Sequence, residues 1–289
     1  MDRLHELARR HVPGSGPVDI TLLQTGVVNA SYRVLRDGGC YALRVGNAAT
    51  AELGMDREWE RRVLQQVARA RIAPDVEVCV PSEAVLVTRW VTGTTWSEDE
   101  AGSPRATELI TQLMRRIHAV RAPVLARAMT PVRWIEFYRK ALTGYALDAG
   151  TAGALSTLGE RSRLQQQIYQ RLGPRAATLC HSDLHRLNLL ESDAGMTVLD
   201  WEYAHVGDPF WDLAGWITMN DGVPAETLMR LYLGRSPMQD EYRRLDVLTW
   251  FFDYVGFLWC HLYACTRGSG ASAEILQRAR VLEARLSTA

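Results

Sequence analysis

The stretch His181-Ser-Asp183-Leu-His185-Arg-Leu-Asn188-Leu-Leu, followed by Thr197-Val-Leu-Asp200-Trp-Glu202-Tyr203, decides how the chain is read. An Asp and an Asn stand five residues apart on a turn-like segment. A second Asp arrives at the end of a short apolar strand, twelve residues after Asn188. Phosphoryl transfer asks for this set: a carboxylate to orient and deprotonate an attacking hydroxyl, and oxygen ligands for the Mg2+ ions that neutralise phosphate charge. An isolated Asp-x4-Asn is also common in turns and helix caps, which favour both residues. Asp200 adds the weight, because a carboxylate closing an apolar run needs a partner or a task to offset its burial.

The 289 residues suffice for one large domain or two lobes. Lys plus Arg and Asp plus Glu balance at 33 each, so no net field points to nucleic acid or an anionic membrane, and a small-molecule substrate fits the balance. Cysteines 40, 79, 180, 260 and 265 show no paired spacing or zinc pattern, and read as reduced, small apolar residues of a cytoplasmic protein. The charged N-terminus carries no secretory signal. Residues 248–264 are aromatic-rich but hold Asp253 and His261, so they read as a buried helix and not a membrane span.

Along the chain, residues 2–11 have helical spacing, and residues 20–23, 31–35 and 40–45 are short β-rich runs, the last two joined as a hairpin through Asp37-Gly38-Gly39. An amphipathic helix is expected over 55–71, then strands near 76–80 and 84–90. From Ser103 onward the periodicity is helical, with Leu109, Leu113, Ile117 and Val120 on one stripe, interrupted only by turn and strand character over 178–201. Residues 268–272 read as a short loop. A β-rich first ninety residues and an α-rich remainder imply an α+β chain in two lobes, 1–92 and 93–289, with a cleft between them.

The spacing His-x-Asp-x4-Asn equals that of the protein-kinase catalytic loop, with Asp200 where the metal-binding Asp would follow. Asp200-Trp-Glu-Tyr203 is followed by Gly207-Asp208-Pro209-x-x-Asp212-Leu-Ala214. Arg71-Ile-Ala-Pro-Asp-Val76, Val85-Leu-Val-Thr-Arg-Trp-Val-Thr-Gly93, Leu113-Met-Arg-Arg-Ile-His118 and Trp134-Ile-Glu-Phe-Tyr138 precede it in order. In these segments the chain resembles the aminoglycoside phosphotransferase and choline kinase superfamily, from about Gly26 to Arg280, and within it the bacterial choline/ethanolamine kinase and thiamine kinase branch.

The resemblance implies a bilobal protein-kinase-like fold and a kinase using ATP, or another nucleoside triphosphate, with Mg2+. Asp183 would be the base, and Asn188 and Asp200 the metal ligands. Gly26-Val-Val-Asn29-Ala-Ser31 would cover the phosphates, Arg44 would pair with them and with Glu60, and residues 86–90, with Thr88 and Trp90, would line the adenine hinge. His181 would shape the loop, His185 would face phosphate or solvent, and Asp208 and Asp212 would brace the turn. For the acceptor, Glu202 and Asp253 would supply charge and Tyr203 and Trp259 ring faces, which suits a small cationic alcohol such as choline or ethanolamine. Gly256 stands where choline kinases would carry a further Trp, which keeps thiamine open, and an aminoglycoside is the rival within the superfamily. A catalytically silent kinase-like binding protein is the rival outside enzymes.

Overall fold

The computed structural model describes residues 3–25, 28–46, 51–124, 126–267 and 273–288. Helix α1 (Arg3–His11) leads into strands β1 (Asp19–Thr25), β2 (Asn29–Arg36) and β3 (Gly39–Gly46). After helix α2 (Arg57–Arg69) come β4 (Val76–Val80) and β5 (Val85–Arg89). The five strands form one antiparallel sheet in the order β1-β2-β3-β5-β4. The β2–β3 turn takes left-handed backbone at Asp37 (φ 48°) and Gly38 (φ 77°), the conformation in which a two-residue hairpin matches strand twist.

Side-chain alternation then sorts the sheet's faces. Val34, Tyr41, Leu43, Val85 and Val87 are buried against Leu7, Ala8 and Val12 of the α1 segment. Arg36 fastens that segment by donating to the carbonyls of Arg9 (2.8 Å) and Val12 (2.6 Å). Ala42 and Arg44 project from the opposite face into a cleft. Helix α2 starts at an Asp56 cap (2.9 Å to the Trp59 amide) and buries Trp59, Val63, Leu64 and Val67. The Trp59 indole reaches across to the Ala204 carbonyl (2.6 Å), docking α2 on the second half of the chain.

That second half is mainly helical: α3 (Glu98–Ala101), α4 (Pro104–Ala119), α5 (Pro131–Leu142), α6 (Ala149–Arg171), α7 (Phe210–Met219), α8 (Ala225–Leu233), α9 (Gln239–Arg267) and α10 (Ala273–Thr288). Two small ribbons interrupt it: β6 (Thr178–Cys180) with β9 (His205–Gly207), and β7 (Leu189–Ser192) with β8 (Gly195–Val198). The buried stripe of α4 runs through Ala106, Ile110, Leu113, Met114 and Ile117, so it includes Ile110 and Met114, while Leu109 and Val120 of the expected stripe are half-buried flanks. The α4 face is wider than the strip anticipated, as is usual for a helix covered from two sides. Helix α9 packs on α5, α6, α7 and α10, which explains its aromatic content. No described helix is long and apolar enough to cross a membrane. The loop expected at 268–272 lies outside the described residues.

Candidate active site

The two ribbons frame the segment from Cys180 to Glu202. Chain leaving β6 turns sharply at Ser182 (φ 74°), and the Asp212 carboxylate at the start of α7 holds that turn by accepting from the amides of His181 (2.9 Å) and Ser182 (2.8 Å). His118 of α4 meets the same carboxylate at 3.1 Å. His181 is fully buried, donates through Nε2 to the Leu199 carbonyl (2.9 Å) and accepts at Nδ1 from the Asp183 amide (3.3 Å). Its ring stands edge-on to Trp201, 4.7 Å between centroids. Burial lowers its basicity, so it braces the loop as a neutral ring. Asp208 is equally structural: just before α7 it accepts from the Phe210 amide (3.0 Å) and pairs with Arg244 at 2.5 Å.

Asp183 and Asn188 meet inside this frame. The Asn188 amide donates to the Asp183 carbonyl (2.9 Å) and carboxylate (3.3 Å), which leaves its own side-chain oxygen free to ligate. Burial pushes the Asp183 carboxyl up, but the interaction with His185, 3.7 Å away, outweighs that and holds it below the usual range. His185 also accepts from the Leu187 amide (3.3 Å), closing the 3-10 turn Arg186–Asn188.

After β8, Asp200 adopts left-handed backbone (φ 58°), a conformation that a non-glycine residue keeps only where its surroundings impose it. The kink drives Trp201 into the core and sets Asp200 and Glu202 on the cleft side. There they meet the sheet. Arg44 donates one nitrogen to Asp200 (2.8 Å) and the other to both oxygens of Glu60 (2.7 Å each). Arg57 bridges Glu60 (2.9 Å) and Glu202 (2.8 Å), and Asn29 links Glu202 and Arg57 (2.7 Å each). Burial would lower the Arg44 pKa, but Glu60, Asp200 and Glu202 raise it overall, so the guanidinium stays charged. Burial raises the Glu202 carboxyl to about 7, with Asp200 adding to the effect against the pull of Arg44 and Arg57.

The cleft holds about 730 Å3 and is lined by Asn29, Arg44, Glu60, Thr88 and Trp90 from the sheet half and by Asp183, Asn188, Asp200, Glu202, Tyr203 and Trp259 from the helical half. Gly26 lies outside the described residues. One acceptor assignment needs correction. Asp253 points to the far side of α9, into a separate cavity, and pairs with Arg285 at 2.9 Å, while burial pushes its carboxyl up to about 6. It stands one residue from Phe252 and two from Val255, which do line the cleft, and helical geometry puts residues one or two apart on different faces. Glu202 reaches the cleft, where its Oε2 accepts from Arg57 (2.8 Å) and Asn29 (2.7 Å).

Sequence reasoning passed over Arg57, Trp211 and Arg278. Arg57 had a signal: a cation in the first turn of a helix opposes the helix dipole and needs another reason to be there. Asn188 and Asp200 offer the hard oxygen donors that Mg2+ takes. Among the described residues His118, Cys180 and Asp212 also bring ligand atoms within 4.8 Å of one another, but the Asp212 oxygens are committed to backbone amides.

The chain matches the model of the phosphotransferase enzyme family over residues 19–248. No curated protein matches it. Among solved structures it is similar to a choline/ethanolamine kinase family protein from Mesorhizobium loti (23% identity, TM-score 0.74, 96% of this chain and 89% of that one). It is also similar to the choline kinase of Streptococcus pneumoniae solved with AMP (18%, 0.74, 99% and 97%). A third is a macrolide 2'-phosphotransferase from Brachybacterium faecium (19%, 0.63, 98% and 98%). At these identities the likeness is one of fold.

Proposed function

The chain belongs to the phosphotransferase enzyme family and is a small-molecule phosphotransferase, and from that premise we propose that it moves the γ-phosphate of ATP, or another nucleoside triphosphate, to the hydroxyl of a small alcohol. The observation that carries this reading is the convergence of Asp183, Asn188 and Asp200 on one cleft, facing the Arg44–Glu60 pair. Asp183 accepts the hydroxyl proton as the acceptor oxygen bonds to the γ-phosphorus. The bond to the β–γ bridging oxygen breaks, and the diphosphate leaves with its electron pair. Asn188 and Asp200 would hold Mg2+, which when bound supplies positive charge against the phosphates. Arg44, already charged and fixed by Glu60, would face the phosphates with a rigid fork. Thr88 and Trp90 would line the base. We divide the chain at 92/93 accordingly, nucleotide to the first part, catalytic loop and acceptor to the second. The free cysteines suit a reducing compartment such as the cytoplasm.

A choline- or ethanolamine-like acceptor keeps the ring faces of Tyr203 and Trp259, which are joined by a 2.7 Å hydrogen bond, but loses Asp253, and Glu202 is shared with Arg57. Thiamine meets the same lack. An aminoglycoside would need several free carboxylates at the acceptor end. Asp183→Asn should keep nucleotide binding and lose about two to four orders of magnitude in kcat, the range of general-base loss. Measured turnover near wild type with the variant would remove Asp183 from the role. Asp200→Ala should lose transfer and weaken MgATP binding by calorimetry, and normal binding with turnover would count against the metal assignment.

A further inference from the structure

The acceptor end of the cleft has a charge of its own. Helices α5, α7, α9 and α10 wall it with Trp134, Trp211, Phe252 and Trp259, and among the described residues of those helices the charged side chain lining the cleft is Arg278. The carboxylates lining the cleft are Glu60, Asp183, Asp200 and Glu202. Glu60 and Glu202 are held by Arg44 and Arg57, while Asp183 and Asp200 stand at the reacting end. Arg278 places Nη2 3.0 Å from the Met219 sulfur, and among the described residues no carboxylate lies within ion-pair reach of it. A thioether is a weak acceptor, so most of the five guanidinium donors stay available.

On the phosphotransferase reading given above, we propose that the acceptor is a ring-bearing alcohol carrying an anionic group, in the simplest case a carboxylate, and that Arg278 is the residue that selects it. The ring packs among the aromatic side chains, the hydroxyl points to Asp183, and the anion meets the guanidinium, which can bind a carboxylate through two parallel hydrogen bonds. A cationic acceptor in the same pose meets a like charge.

Three compounds of matched shape test this: para-hydroxymethylbenzoate, its neutral amide, and para-aminomethylbenzyl alcohol. With ATP and Mg2+, wild type should show the highest kcat/KM on the benzoate and the lowest on the amine. Arg278→Ala should lose about ten- to a hundredfold on the benzoate, the range for a charge-assisted hydrogen bond, with little change on the amide or in the KM for ATP. Arg278→Glu should reverse the order. Calorimetric binding of the three compounds separates the two readings: if the benzoate binds, Arg278→Ala abolishes that binding and no compound is phosphorylated, the charge selection stands and the transfer reading fails. A wild-type preference for the amine overturns the proposal, and so does failure of all three to bind. An equal loss on all three in Arg278→Ala also overturns it, because it makes Arg278 a contact of the transferred phosphoryl group.

Discussion

At the residue scale, Arg57 does what no single motif announced. It sits between two carboxylates from opposite halves of the chain, Glu60 on its own helix and Glu202 on the loop after β8, with its side chain 10% exposed. Removing one partner from such a buried set leaves charge without compensation. Arg57→Met should therefore lower unfolding free energy by about 3 to 5 kcal/mol, measured by urea denaturation. Adding Glu202→Gln should recover part of the loss, and a single variant as stable as wild type would mean that the bridge contributes nothing. The Arg44–Glu60 pair was legible in the sequence because strand alternation and family likeness both marked Arg44. Arg57 was not, because its partner Glu202 lies 145 residues away and only the fold brings them together.

At the element scale, two close approaches fix the cleft's walls. The segment leaving β5 crosses to β7, where Thr94 pairs with Glu191, and a Cβ on Gly93 would come within 2.8 Å of the Glu191 carbonyl oxygen. Because that neighbour is backbone, Gly93→Ala should cost about 1 to 3 kcal/mol, and an unchanged denaturation midpoint would show that the crossing can shift. Helix α9 divides its ring faces: Trp250, Phe251 and Phe257 are core, while Phe252 and Trp259 line the cleft. Trp259→Ala should raise the acceptor KM about tenfold or more and leave the ATP KM near wild type; an early-melting variant with an unaltered acceptor KM would make Trp259 a core residue. Sequence periodicity found α9 but could not say which of its faces met the cleft. Its aromatic residues surround the helix, so they give no direction, and Asp253 was assigned to the wrong side.

At the scale of the whole molecule, acid stability reports how tightly the catalytic frame is buried. His205 on β9 is 2% exposed and bonds to Ser182 at 2.6 Å, and burial lowers its pKa from 6.5 to about 4, against the opposing pull of Asp212. The unfolded chain therefore binds the proton more readily. The contribution is full above pH 6.5 and is lost as pH falls toward 4, about 3 kcal/mol at most. His205→Asn, which retains a polar atom near the Nδ1 position, should flatten that slope in urea titrations between pH 7 and 4, and a slope equal to wild type would assign it to other groups. The sequence by itself determined the strands and helix of the first ninety residues, the β-rich and α-rich halves, and the spacing of Asp183, Asn188 and Asp200, because those rest on local periodicity and on short separations along the chain. The tertiary structure alone decided where charge goes: Asp253 to Arg285, Glu202 to Arg57, and Arg278 to the wall of the cleft. Electrostatic pairing depends on distance in space, and residues far apart in the chain acquire that distance only when the two halves pack together.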